Sequence, residues 1–144
     1  MPCTYQTFAR QNLLAKRYYG DLETRCVLKL LDAIELDPSY IEGMCEIDDL
    51  RTIESFAIPE GDIGGLADLI QGIHQRRRQP RLKAVVTCRE DVRAAAKYYA
   101  HQVENLPAVR VGIFDTIAEA MRFLGIDDPE LVANLHFGTR NVAH

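Results

Sequence analysis

The first third of the chain alternates between apolar runs and polar breaks. Aromatic, β-branched and aliphatic residues fill the runs from about Thr4 to Phe8 and from Leu13 to Tyr19, with a short polar break between them. This pattern predicts an opening β-hairpin. Gly20-Asp21 predicts the end of the second strand and an N-cap. From Leu22 to Ile34 apolar residues recur at helical spacing, and Asp37-Pro38 ends the helix, because proline disfavours helical dihedral angles in the preceding residue.

The middle of the chain predicts a strand from Met44 to Leu50, a loop from Thr52 to Ile58 and a helix that begins at Pro59-Glu60. Apolar residues at helical spacing mark this helix although it contains several glycines. Because each glycine costs about 1 kcal/mol relative to alanine inside a helix, we predict that Gly64 and Gly65 are there for close backbone packing.

The remaining part of the chain repeats a strand followed by a helix. Ala84 to Val86 is a short continuous apolar run, typical of a strand that is covered on both faces. Val109 to Ile113 predicts another strand, and a helix follows each of the two. Both helices begin with the spacing of a capping box, Thr87 with Glu90 and Thr116 with Glu119.

The predicted order of elements is β-β-α-β-α-β-α-β-α. Successive β-α units with short connections favour right-handed crossovers and parallel strands, and the opening hairpin adds one antiparallel strand. The sequence therefore predicts an α/β fold with a single mixed, mainly parallel sheet. Residues 1–125 would form this domain, and residues 126–144 would add a short helical turn and a frayed tail.

Composition and charge exclude several classes of protein. The 144 residues are 47% hydrophobic and 26% charged, as in one soluble globular domain. The formal net charge of −4 argues against nucleic-acid binding. No apolar stretch approaches the roughly 20 residues of a membrane span, and no signal peptide is recognisable, so we expect no membrane insertion.

The residues suited to metal or redox chemistry are scattered. The four cysteines (Cys3, Cys26, Cys45 and Cys88) form no C-x-x-C pair, which favours a reducing, cytoplasmic location. The histidines lack metal-binding spacing, and no glycine-rich phosphate motif is present. We therefore expect neither a metal nor a cofactor.

Polar residues gather where the predicted strands end, which is where ligands bind in open parallel sheets. Asp48 and Asp49 alternate to opposite faces of a regular strand and are therefore poor acid–base partners. Asp49 and Arg51 are spaced for an ion pair. An enzyme would have Asp49, Arg51 and Cys88 as its candidate residues, but no catalytic motif is present, so a non-enzymatic domain is favoured.

The densest run of charge is basic. It comprises Arg76 to Arg78, followed by Arg81 and Lys83. Cations near a helix C-terminus complement the helix dipole, so this run is interpreted as a solvated helix end. The alternative is a docking patch for an acidic partner.

Three features carry a resemblance to a known family: the strand order, the strand ending Asp49-Leu50-Arg51, and the closing strand and helix from Arg110 to Gly125. Together they resemble the STAS-like superfamily, in the bacterial branch that is compared with anti-sigma-factor antagonists and SEC14-type lipid-binding domains. The resemblance covers roughly residues 3–125. It implies a regulatory domain that binds a partner and is released when a serine at the start of the second helix is phosphorylated. Here Phe56 to Gly65 contains no serine or threonine, and Ser55 lies too early, so the usual phosphorylatable serine is lacking.

The favoured hypothesis is therefore a cytoplasmic, regulatory protein-binding module whose partner is a regulatory protein or a second copy of the chain. The residues expected at its binding surface are Arg51, Phe56, Ile58, Glu60 and Asp62. The alternative is a module that binds a small molecule or lipid in an apolar pocket between the hairpin and the helices. Tyr18, Tyr19, Tyr98 and Tyr99 would line that pocket, and its proposed ligand-binding residues are Asp49, Tyr18, Thr87, Arg89 and Tyr99.

Overall fold

The computed structural model describes residues 3–41, 43–75, 81–104 and 109–137, with backbone alone for 70–75 and 137. Its strands are β1 (Cys3–Phe8), β2 (Leu13–Glu23), β3 (Cys45–Ala57), β4 (Arg81–Val86) and β5 (Val109–Phe114). Its helices are α1 (Thr24–Leu36), α2 (Glu60–Gln75), α3 (Glu90–Val103), α4 (Ile117–Phe123) and α5 (Pro129–Phe137). A short 3-10 turn, Ala9–Gln11, connects β1 to β2. None of the described helices has the length and apolar character needed to cross a membrane.

The five strands form one sheet in the order β1-β2-β3-β4-β5. β1 is antiparallel to β2, and the other neighbouring pairs are parallel. The predicted α/β class, with a single mixed and mainly parallel sheet, is confirmed. Because the three β-α-β crossovers all step in one direction across the sheet, right-handed connections place α1, α2 and α3 on the same face. α4 and α5 pack on the opposite face.

Each face of the sheet has its own hydrophobic core, because adjacent residues of a strand point to opposite faces. Leu14 and Leu50 pack with Leu30 of α1 and Val92 of α3. On the opposite face, Leu13 and Ile47 belong to a second cluster that includes Met121 of α4 and Leu131 of α5. The last described helix therefore packs on the same core as α4.

The second strand is longer than predicted. β2 does not end at Gly20 but continues to Glu23, and Glu23 precedes α1 without a side-chain capping bond. The pairing with β3 shifts register between Gly20 and Asp21, and Gly20 has φ +57°. Glycine adopts a left-handed backbone conformation of this kind easily. The glycine therefore accommodates an irregularity within the strand and does not end it.

The predicted loop from Thr52 to Ile58 is wrong, because β3 continues to Ala57 and pairs with the end of β2. Ile53 is buried while Thr52 and Glu54 are exposed. This alternation is typical of a strand with one covered face. Phe56 and Ile58 are accordingly half-buried and pack against the hydrophobic core.

One of the two predicted capping boxes is present. The Thr116 side chain accepts a hydrogen bond from the amide of Glu119 at 3.2 Å, as predicted. The box at Thr87 is wrong, since α3 begins at Glu90 and its N-cap residue is Arg89. The amide of Thr87 donates to the carbonyl of Phe114 in β5, and the buried Thr87 hydroxyl accepts from the amide of Arg89. Thr87 therefore extends the pairing between strands.

Gly64 and Gly65 of α2 do not serve close packing, contrary to the prediction. A Cβ atom placed at either position would meet no atom within 4 Å other than the nearby backbone of the helix itself. We therefore expect Gly64→Ala and Gly65→Ala each to raise the free energy of unfolding by up to about 1 kcal/mol. Urea denaturation measures this change.

Gly125→Ala is the matched control, because Gly125 has φ +74° and alanine there is strained by roughly 1–2 kcal/mol. That variant should be less stable than the parent protein. Loss of stability in the two α2 variants would show that these glycines are required by the fold.

Candidate functional site

Five charged side chains lie buried in the middle of the sheet, on the face covered by α1, α2 and α3. Lys16 comes from β2, Glu46 and Asp48 from β3, and Arg81 and Lys83 from β4; each is at most 8% exposed. They meet because Lys16 is paired with Asp48 and Glu46 with Lys83 in the parallel register. We call these five residues the buried charge cluster.

The lysines of the cluster are held by both carboxylates. Lys16 Nζ lies 3.2 Å from Glu46 Oε2 and 3.0 Å from Asp48 Oδ1. Lys83 Nζ lies 3.2 Å from Asp48 Oδ2 and 3.8 Å from Glu46 Oε2. Arg81 donates to Glu46 Oε1 and to the hydroxyl of Tyr40. Three cations thus share two carboxylates, which leaves one positive charge in excess within the cluster.

Lys16, Lys83 and Glu46 keep their charges at neutral pH. Burial alone would lower the pKa of Lys16, but the charges of Asp48 and Glu46 outweigh it and the pKa lies well above its usual value. Burial and Lys16 act to lower the pKa of Lys83, but the combined effect of Asp48, Tyr99 and Glu46 outweighs them and that pKa is also raised. Burial acts to raise the pKa of Glu46, but the three neighbouring cations hold that pKa below the usual value.

A cavity of about 120 Å³ lies above the cluster, between the sheet and the three helices. Lys16, Asp48 and Lys83 form part of its lining and provide a polar floor. Its walls are apolar, and each helix contributes to them: Val27 and Leu31 from α1, Ile63 and Leu66 from α2, Val92 and Ala96 from α3. An apolar cavity with a few convergent polar groups is typical of a ligand site.

Tyr99 of α3 lines the same cavity and is 9% exposed. Its ring packs against Lys83, whose Nζ lies 4.7 Å from the ring centroid, within the range of a cation–π contact. Its hydroxyl is buried and has no hydrogen-bond partner among the described residues. Such a group costs free energy until a partner is supplied.

The opposite face of the sheet carries a second set of charges, which we call the arginine clamp: Arg17, Asp49 and Arg51. Arg17 Nη2 lies 2.7 Å from Asp49 Oδ2, and Arg51 Nε lies 2.9 Å from Asp49 Oδ1. Arg51 Nη2 also donates to the carbonyls of Leu135 at 3.2 Å and His136 at 3.1 Å, and Arg17 donates to that of Leu135. The clamp therefore satisfies carbonyls in the last turn of α5.

The clamp confirms two predictions: Asp48 and Asp49 lie on opposite faces, and Asp49 pairs with Arg51. Burial acts to raise the pKa of Asp49, but its hydrogen bonds with Arg51 and the charges of both arginines hold that pKa below the usual value.

The structure divides the residues predicted to bind a protein partner between different places. Phe56 and Ile58 line the cavity, whereas Arg51 belongs to the arginine clamp. Glu60 and Asp62 are exposed in the first turn of α2, where Asp62 accepts a hydrogen bond from Thr24 of α1 at 2.7 Å. These five residues do not form one surface.

The predicted ligand residues divide in the same way. Tyr18 and Tyr99 line the cavity, while Asp49 lies on the opposite face. Thr87 is fully buried beyond β4, and Arg89 pairs with Asp91. The expected aromatic lining is half right, because Tyr19 and Tyr98 are not among the residues that line this cavity.

Sequence reasoning missed the cavity floor, Lys16, Asp48 and Lys83. The sequence does contain a signal for these buried charges, namely charged residues at every second position of an otherwise apolar strand. In β4, for example, Arg81 and Lys83 alternate with apolar residues and precede Val85. Their assignment to a solvated basic run is wrong, since Arg81 is 7% and Lys83 is 8% exposed. Arg76 to Arg78, the rest of that run, lie outside the described residues.

The residues suited to metal or thiol chemistry do not converge. In the ranges that the structure describes, no group of three or more histidine, cysteine or acidic side chains is arranged to hold a metal ion. All four cysteines are free thiols. Cys88 is exposed, and its Sγ lies 3.7 Å from the carbonyl of Asp115.

No family model and no curated protein matches the sequence. Among solved structures, the fold is similar to the crystal structure of an uncharacterized protein from the DUF3478 family with a SpoIIAA-like fold, from Shewanella loihica PV-4. The match has a TM-score of 0.50 at 16% sequence identity and covers 85% of this chain and 93% of that chain. It shows a SpoIIAA-like fold, which is STAS-like, and so confirms the predicted resemblance for the fold alone.

Proposed function

We propose that this domain binds a small, largely apolar molecule in the cavity between the sheet and α1, α2 and α3. The observation that carries the proposal is the cavity of about 120 Å³ with apolar walls. Protein interiors are close-packed, so an apolar space of this size, lined by side chains of all three helices, is a candidate ligand site. A molecule that fills it would remove the apolar side chains of its walls from water, which favours binding.

The size of the cavity limits the ligand. An engineered apolar cavity of about 150 Å³ binds benzene, so about 120 Å³ suits a small ring or a short hydrocarbon chain. Half-buried side chains of α1, α2, the end of β3 and the segment that follows it contribute to the walls: Val27, Leu31, Phe56, Ile58 and Leu66. A longer ligand would extend between these side chains towards solvent.

Ligand binding is better supported than docking of a regulatory protein. The docking hypothesis depended on an exposed apolar loop, and residues 52–57 form a strand instead. Phe56 and Ile58 already pack against the core and line the cavity. The exposed residues left from that surface, Glu60 and Asp62, are acidic and offer no apolar contact area.

Filling the cavity tests the proposal. Ala96 lines it and is 9% exposed, so Ala96→Leu is expected to occupy part of the space. This variant should gain about 1 kcal/mol of stability, as cavity-filling changes commonly do. It should also bind 1-hexanol at least about tenfold more weakly than the parent protein, measured by titration followed in ¹H–¹⁵N NMR spectra.

Ala94→Leu is the matched control, because Ala94 is exposed on the same helix. It should bind 1-hexanol like the parent. If the parent binds neither 1-hexanol nor other short alcohols, and native mass spectrometry of the purified protein shows no bound molecule, the cavity holds only water and the proposal is wrong.

A further inference from the structure

We infer that the ligand is a small monocarboxylate, whose carboxylate binds Lys16, Lys83 and the hydroxyl of Tyr99 while its hydrocarbon part lies against the apolar walls. This inference rests on the proposed function, since it names the chemical class of ligand for the same cavity. Three independent features carry it: the charge balance of the buried cluster, its unused hydrogen-bond donors and the position of both beneath an apolar space.

The charge balance of the buried charge cluster favours an anion as ligand. The buried charge cluster contains three cations and two carboxylates, and buried charges are normally paired. Arg81 pairs with Glu46 and Tyr40 through its terminal nitrogens, its buried Nε has no partner among the described residues, and it does not line the cavity. The excess charge is therefore available at the two lysines, which do line it.

The free hydrogen-bonding capacity at the floor consists mainly of donors. Each lysine ammonium has three N–H donors. Lys16 Nζ has two carboxylate oxygens within 3.2 Å, and Lys83 Nζ has one at 3.2 Å and another at 3.8 Å. Among the described residues the hydroxyl of Tyr99 has no hydrogen-bond partner, and the same holds for the acceptor Asp48 Oδ1, which lies 3.0 Å from Lys16 Nζ. A carboxylate would accept from the two lysines and Tyr99.

The balance also selects among anions. One carboxylate neutralises one excess positive charge, whereas a phosphate monoester carries about −1.5 to −2 at pH 7 and would leave the cluster with excess negative charge. The cavity of about 120 Å³ must also hold the hydrocarbon part. A monocarboxylate with a short chain or a single ring satisfies both conditions.

A matched series of probes tests the inference with the intact chain. Straight-chain carboxylates from butanoate to decanoate are titrated at pH 7 beside the alcohols and alkyl phosphates of equal length, with isothermal titration calorimetry as the measurement. At the best chain length the carboxylate should bind roughly tenfold or more tightly than the alcohol, and also more tightly than the phosphate. Alcohols that bind as tightly as carboxylates would overturn the inference but leave the proposed function intact. If no probe binds, both fail.

Two variants locate the carboxylate. Lys83→Met leaves equal numbers of cations and carboxylates, so the ratio of carboxylate to alcohol affinity should fall towards one. Tyr99→Phe should weaken carboxylate binding roughly fivefold without loss of stability, because the hydroxyl it removes has no partner. The Tyr99→Phe variant also keeps the test decisive if Lys83→Met does not fold.

The matched controls lie on α3 outside the cavity lining, namely Lys97→Met at an exposed position and Tyr98→Phe at a half-buried one. Both should bind like the parent protein. If Tyr99→Phe binds carboxylates as tightly as Tyr98→Phe does, and any folded Lys83→Met protein keeps the preference for carboxylates, the assignment is wrong.

Discussion

Glu46→Gln is expected to lower the free energy of unfolding by about 3–5 kcal/mol, the cost of removing one partner from a buried ion pair. Glu46 is 6% exposed and contacts Lys16, Arg81 and Lys83. Without its charge, Asp48 is the single carboxylate left in the cluster against three buried cations, and it contacts Lys16 and Lys83. Urea denaturation at pH 7 with linear extrapolation measures the change.

Glu54→Gln is the control, because Glu54 is exposed on the same strand and should change stability by less than about 0.5 kcal/mol. A second test combines Glu46→Gln with Arg81→Met, which restores the net charge of the cluster. The double variant should be more stable than the sum of the single effects predicts. If Glu46→Gln unfolds like Glu54→Gln, the charge of Glu46 does not stabilise this fold.

The same contacts make stability depend on pH. The cations around Glu46 hold its pKa below the usual value despite burial, so below about pH 4.3, the pKa of a free glutamate, the unfolded chain binds more protons than the folded one. The contribution of Glu46 is therefore complete above that pH and is lost as the pH falls towards the folded-state pKa. Thermal unfolding between pH 7 and pH 2.5 should show a smaller loss of stability for Glu46→Gln than for the parent protein.

The order of elements could be predicted because helices and strands leave different periods of apolar residues in a sequence. The C-terminal ends of β2 and β3 could not be predicted. Gly20 is compatible both with a strand end and with an irregularity inside a strand, and only its pairing with β3 decides between them. Thr52 to Ala57 contains enough polar residues to resemble a loop, yet hydrogen bonds to the extended end of β2 keep it in the sheet.

The site was predicted only in part, for a related reason. Tyr18 and Tyr99 could be chosen because large aromatic side chains commonly line pockets. Lys16 and Lys83 could not be chosen, because two charges on separate strands meet only when the strand order and register place them opposite the same carboxylate. Asp48 performs that role here. The alternating charges along each strand indicate which residues share a face, but not which of them meet across strands.

Asp48 and Asp49 show how one strand serves two different tasks. Successive side chains of a strand point to opposite faces, so Asp48 lies under the cavity while Asp49 organises the arginine clamp. The proposed binding site and the anchor of α5 are therefore separated by the sheet itself. Substitutions in the arginine clamp can therefore be tested for their effect on ligand binding at the opposite face.

Asp49→Asn is expected to lower the free energy of unfolding by about 3 kcal/mol or more and to loosen α5. The substitution leaves Arg17 and Arg51 mostly buried without a carboxylate between them; their side chains are 15% and 19% exposed. Both arginines then lose the group that orients them towards the carbonyls of Leu135 and His136. Urea denaturation measures the loss of stability, and amide hydrogen exchange should become faster in α5.

Asp32→Asn is the matched control, because Asp32 is exposed on α1 and its loss should change neither stability nor exchange in α5. Unchanged exchange in Asp49→Asn would show that Leu131 and its apolar neighbours hold the helix without the arginines. Because the cavity lies on the other face, the folded fraction of Asp49→Asn should bind hexanoate with the affinity of the parent. A large loss of affinity would instead mean that the packing of α5 controls the shape of the cavity through the sheet.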